Sequence, residues 1–128
     1  MSEQMFIACT INNRTKVTLK VVKYELYWGK WEDVGNFPPI DIPAGKELPA
    51  FHSSGRKGSS GGTEGYVIYQ LGDDSQATFK VYWDVPFGSK HNTVKVEPSD
   101  ADISVNVKGY VGEGAGEAIT LTVHDDRN

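Results

Sequence analysis

Hydrophobic and polar residues alternate along most of this chain, and no long stretch repeats at helical spacing. Met5 to Ile11 alternates, and Asn12-Asn13-Arg14-Thr15 supplies a turn. Val17, Leu19 and Val21 then mark one face, whereas Val22, Tyr24, Leu26 and Trp28 continue with the opposite parity. A parity change between neighbours predicts a bulge, or a strand that switches sheets, at Val21-Val22. Phe37-Pro38-Pro39-Ile40 and Pro43-Ala44-Gly45 break the next region into a long connection.

Glu47 to Ser53 reads as an edge strand, because Pro49 cannot donate to a ladder. A Gly/Ser-rich loop over 55–65 leads to Tyr66-Val67-Ile68-Tyr69, apolar on both faces as a central strand requires. Gly72-Asp73-Asp74-Ser75 predicts a hairpin turn. Beyond it Phe79, Val81 and Trp83 share one face, and Thr78, Lys80, Tyr82 and Asp84 the other. Short strands follow at Thr93–Glu97, Ile103–Tyr110 and Ala118–His124. Eight or nine strands with polar turns predict an all-β protein, a single β-sandwich domain over residues 1–128, with no internal repeat or linker.

Composition narrows the function. A chain of 128 residues is long enough for one respectable core. Its net charge is −4 and its pI about 5.3, with Lys and Arg scattered rather than gathered. That argues against nucleic acid, which needs a concentrated cationic footprint, and against adsorption to anionic lipid by bulk charge. Cys9 is the only cysteine and shares strand parity with Met5, Ile7 and Ile11, so it reads as a buried, inert thiol. Met1-Ser2-Glu3-Gln4 lacks the regions of a signal peptide, and no apolar run approaches the roughly 20 residues of a membrane-spanning helix. Asn13-Arg14-Thr15 matches a glycosylation sequon and is read as coincidental.

Catalytic and cofactor motifs fare poorly. Gly55-Arg56-Lys57-Gly58-Ser59-Ser60-Gly61-Gly62 lacks the Gly-Lys-Ser/Thr ending of a phosphate loop and leads into a strand. Gly112-Glu113-Gly114-Ala115-Gly116 fails as a dinucleotide fingerprint for the same reason. His52, His91 and His124 have no helical pairing that would suggest zinc. Asp73-Asp74, Asp100/Asp102 and Asp125-Asp126 sit in turns or near the end of the chain, where solvation explains them. No nucleophile elbow appears, and the expectation is a protein that is not an enzyme and needs no metal or cofactor.

The aromatics point to binding. In Tyr82-Trp83-Asp84-Val85-Pro86-Phe87-Gly88-Ser89-Lys90 the strand breaks at Pro86 and leaves Phe87 and Lys90 on the connection. Folding gives no reason to place a large apolar ring and a cation there, whereas loops on rigid scaffolds often carry function. Trp28 and Trp31 flank Gly29-Lys30 at a strand end, with Tyr27 before them, and at least one must face water. Periodicity places Trp83 in the core. Three or four clustered rings, at about 1.5–3 kcal/mol each, would support micromolar association without help from charge.

Four segments also carry a family resemblance: Trp28-Gly29-Lys30-Trp31, Ser54-Gly55-Arg56, Gly62-Thr63-Glu64-Gly65 and Tyr82 through Asn92. The chain resembles the aegerolysins over nearly its whole length, and Gly-Thr-Glu-Gly before an Ile-Tyr pair is similar to the small component of bacterial binary insecticidal toxins. The resemblance implies an actinoporin-like antiparallel sandwich that binds membrane lipid, often a sphingolipid, and recruits a larger perforin-type protein that supplies the pore. It implies that Trp28, Phe87 and Lys90 contact lipid; the expected lipid- and headgroup-binding set is Trp28, Lys30, Trp31, Arg56, Trp83, Phe87 and Lys90, with Lys90 or Arg56 meeting a headgroup phosphate. Trp83 matches a family Trp, although its parity marks it as structural. The chain departs from fungal sphingolipid binders at Met5 and Phe87, where they typically carry Trp, and at Gly61, where they carry an acid. The expectation is a protein released without a classical signal peptide and peripheral on its target membrane, with assembly of copies there left open. A carbohydrate-binding module stacking sugars on Trp28, Trp31 and Tyr27 is the main alternative.

Overall fold

A computed structural model describes residues 5–31, 38–55, 61–88 and 91–127, which form nine strands and no helix. In chain order these are β1 (Phe6–Asn13), β2 (Leu19–Trp28), β3 (Lys30–Trp31), β4 (Glu47–Ser54), β5 (Thr63–Leu71), β6 (Thr78–Val85), β7 (Thr93–Pro98), β8 (Ile103–Lys108) and β9 (Gly116–Asp125). One sheet runs β3-β4-β1-β9-β8 and the other β2-β5-β6-β7. The two inner faces meet in one apolar core, the sandwich that the alternation predicts.

The parity change in β2 has its physical cause in the register. Pairing with β5 slips between Val21 and Lys23, so Val22 is an extra residue and its side chain is exposed. The hairpin at Gly72-Asp73-Asp74-Ser75 joins β5 to β6, and Phe79, Val81 and Trp83 are all fully buried. Asn13 organises the predicted turn after β1. Its buried amide donates to Val17 O at 2.8 Å and Ile42 O at 2.9 Å, while Oδ1 accepts from the Thr15 hydroxyl at 2.7 Å. A side chain so enclosed is no acceptor for a glycan in the folded protein. Cys9 is buried as its parity predicts, and desolvation pushes its thiol far up.

Two expectations need correction. β4 is not the sheet edge, because β3 lies outside it. That cover reaches only Ser53 and Ser54, so Pro49 still sits where β3 offers no partner. Nor is the sandwich wholly antiparallel, since β1 and β9 pair in parallel along all of β1. Alternation reveals faces but carries no strand direction, so this pair was not legible in the sequence.

The topology gathers the binding candidates at one end. The β2–β3, β4–β5, β6–β7 and β8–β9 connections all emerge there, because β1 and β9 begin where β4 and β8 finish. The opposite end carries Asp73, Asp74, Asp100, Asp102 and Asp125. Arg127 ties part of it together, with Nε 2.9 Å from Asp125 Oδ1 and Nη1 2.9 Å from Asp74 Oδ2.

Candidate functional site

The site begins at the end of β2, where a second register slip falls between Leu26 and Trp28. The slip leaves Tyr27 unpaired and both neighbouring rings outside the core: Tyr27 is 49% and Trp28 66% exposed. The chain then reverses at Gly29, whose φ is +98°. A Cβ at Gly29 would lie 2.6 Å from Ser54 O, so only glycine fits this turn.

Beside Trp28, the start of β5 meets the end of β6 at very close range. A Cβ on Gly62 would lie 2.0 Å from the Val85 carbonyl oxygen and 2.8 Å from Pro86 Cα. This backbone contact brings the β6–β7 connection alongside Trp28. Phe87, on that connection, is 44% exposed. An open cleft of about 450 Å³ lies between them, lined by Trp28, Gly61, Gly62, Thr63, Glu64, Asp84, Pro86 and Phe87. That volume falls within the usual range of small-ligand sites, about 300–1,000 Å³.

Donor counting fixes a buried relay beneath the cleft. The Trp83 indole N–H donates to Thr63 Oγ1 at 3.1 Å. Thr63 Oγ1 lies 2.7 Å from Ser53 Oγ, and the Ser53 hydroxyl donates to the Lys30 carbonyl at 2.8 Å. Ser53 has only one proton, so Thr63 must donate to Ser53. The relay anchors the backbone just after Gly29 to the floor of the core.

The cleft is acidic. Glu64 and Asp84 are direct cross-strand partners on the outward face of β5 and β6. The Tyr82 hydroxyl donates to Glu64 Oε2 at 2.5 Å. Burial, and then the Glu64 charge, raise the Asp84 carboxyl above its ordinary value. None of the ion pairs among the described residues involves Glu64 or Asp84. Further along the same face of β5, Lys80 Nζ lies 4.7 Å and Lys23 Nζ 6.0 Å from the Tyr66 ring. Aromatic faces beside two carboxylates are suited to holding a cationic group. Among the described residues there is no cluster of three or more His, Cys, Asp or Glu that could hold a metal.

Of the residues expected at the site, Trp28 and Phe87 are brought together across the cleft. Lys30 is half-buried, with its carbonyl committed to Ser53. Trp31 is half-buried and stands edge-on to Tyr24, Phe51 and Trp83 at 5.7–6.3 Å, so it closes the core and does not complete a flat sugar-stacking platform with Tyr27 and Trp28. Trp83 must be removed from the contact set, because it is fully buried and stacked on Phe51 at 5.1 Å. Arg56 and Lys90 lie outside the described residues. Glu64 and Asp84 are not among the residues expected from the sequence, because acidic pairs adjacent in the chain lie in turns, whereas these two are paired by strand register. Outward parity on neighbouring strands was the available signal.

The aegerolysin family model matches residues 4–126. Aegerolysin Aa-Pri1 of Cyclocybe aegerita is 30% identical over 128 residues, covering 92% of this chain and 88% of that protein. Asp-hemolysin of Aspergillus fumigatus is 31% identical over 108 residues, covering 78% and 71%. Among solved structures, the RahU protein in complex with a Tris molecule is similar, with a TM-score of 0.82, 25% identity and 97% of each chain covered. A family model that matches residues 4–126, with a relative 30% identical over most of both chains, shows that this protein belongs to the aegerolysins.

Proposed function

We propose that this protein is a membrane-lipid-binding component of a pore-forming toxin. In this reading the Trp28–Phe87 end settles onto the bilayer. The observation that carries it is the display of two large rings at the mouth of an acidic cleft, at the end opposite the aspartate-rich turns. A ring spent on solvent gains about 1.5–3 kcal/mol when buried in lipid. The hemolysin name of one relative and the family membership support the same direction.

The cleft sets the headgroup chemistry. Glu64 and Asp84 receive an ammonium end between the Trp28 and Phe87 rings, as in a choline or ethanolamine phospholipid or sphingolipid. Arg56, between β4 and β5, and Lys90, between β6 and β7, supply cations for the phosphate in this reading. A larger perforin-type partner supplies the pore, as in the binary insecticidal toxins the sequence resembles. Among the described residues no helix is long and apolar enough to cross a membrane. The protein acts from outside its target cell and stays peripheral, without turnover of the lipid.

Vesicles of equal parts phosphatidylcholine, phosphatidylethanolamine, sphingomyelin and cholesterol, loaded with a self-quenched dye, test this reading. The protein alone should pellet with them and release little dye. Protein that remains in the supernatant, or that binds a glycan array but no lipid, would contradict it.

A further inference from the structure

The β8–β9 connection ends beside the cleft's second loop, and it displays a residue with no folding role. Val111 is 66% exposed, as much as Trp28, and the adjacent Tyr110 is 46% exposed. The backbone around Val111 is nevertheless held hard. Glu117 is fully buried, and Oε1 accepts from the Val111 N–H at 2.8 Å while Oε2 accepts from the Gly112 N–H at 2.8 Å. A buried carboxylate spent on two backbone donors fixes a turn that would otherwise be free to fold its valine away.

The same carboxylate ties this turn to the Phe87 loop. Asn92 closes that loop, and its Nδ2 donates to Glu117 Oε2 at 2.8 Å and to Gly114 O at 3.2 Å. The Asn92 N–H donates to Gly112 O at 2.9 Å, and its carbonyl accepts from the Tyr110 hydroxyl. Every backbone and amide N–H of Asn92 therefore points into the 110–117 segment. The β6–β7 loop is pinned at one end by the Gly62–Val85 contact and at the other by this clasp.

We propose that Val111 is a second membrane-inserting residue, and that the Glu117–Asn92 clasp sets its depth relative to Phe87. The inference rests on the lipid-binding reading above. It adds a third displayed side chain on the far side of the Phe87 loop from Trp28. The footprint thus spans both sheets, and a rigid body resting on points from both resists tilting. The occupant is the interfacial region of a bilayer, since a lone aliphatic tip gives no directional contact to a soluble ligand.

Because Cys9 is buried, a cysteine introduced on the surface is the one that an environment-sensitive fluorophore labels in the folded protein. Three labelled variants, Val111→Cys, Phe87→Cys and Ser99→Cys, are mixed with the four-lipid vesicles described above, with and without brominated acyl chains. The label at 111 should shift to the blue and be quenched by the brominated chains, as at 87, while the label at 99 stays unchanged. In parallel, Val111→Asp should lower the vesicle partition of the unlabelled protein about tenfold or more, the loss of one aliphatic burial, with an unchanged thermal melt. A label at 111 that stays solvent-exposed while the one at 87 inserts would overturn the role of Val111 and leave the lipid-binding reading standing. No response at either position would remove both.

Discussion

The indole N–H of Trp83 donates to the hydroxyl of Thr63 at 3.1 Å, and through that hydroxyl to Ser53 and the Lys30 carbonyl. Trp83 thus supports the floor of the cleft from within the core. Thr63→Val keeps the shape but strands the indole N–H in a buried place, at a cost of about 1–3 kcal/mol. Urea unfolding should show that loss, and vesicle binding by the remaining folded protein should change little. Trp83→Ala should cost about 3–5 kcal/mol, so any binding it loses reflects unfolding.

Asp84 gives a pH-dependent prediction. Its carboxyl is raised in the folded protein by burial first and by Glu64 second, so folding favours the protonated form. The sign follows: the favourable contribution is complete below the ordinary value of 3.8 and is lost as pH rises through the folded value. Ionised Asp84 therefore destabilises the native state at neutral pH. Asp84→Asn should raise the melting temperature at pH 7, with the gain vanishing towards pH 3. The same variant should bind ammonium-headed vesicles more weakly. A more stable protein that binds less would mark Asp84 as kept for function.

Glu117 holds two loops at once. Glu117→Ala leaves the Val111 and Gly112 donors and the Asn92 amide without their acceptor, and should lose about 1.5–3 kcal/mol by urea midpoint. Glu117→Gln retains one carbonyl acceptor and should fall between. Hydrogen exchange should show faster opening at 110–114 in both, ahead of the strands.

The strands were legible because alternation shows which side chains point inward, and it placed the β2 bulge to within one residue. It also assigned Trp83 inward correctly, even though family position put that residue in the binding set. The parallel β1–β9 pair was hidden, since direction leaves no mark on a two-residue period. Trp28 and Phe87 stood out because each sits beside a chain break, Trp28 just before Gly29 and Phe87 just after Pro86. Glu64 and Asp84 did not, because their meeting depends on β5–β6 register, and register is set by contacts distant in sequence. Glu117 and Asn92 are 25 residues apart and looked like ordinary polar positions.

Co-sedimentation of the Trp28→Ala/Phe87→Ala double variant with the four-lipid vesicles tests most directly the proposal that this end meets the membrane. Both rings project from the surface, so its thermal melt should match that of the parent protein. Loss of two ring burials, about 3–6 kcal/mol together, should lower the partition coefficient at least about a hundredfold and leave the variant in the supernatant. A double variant that pellets as well as the parent, with the same melt, would contradict the account.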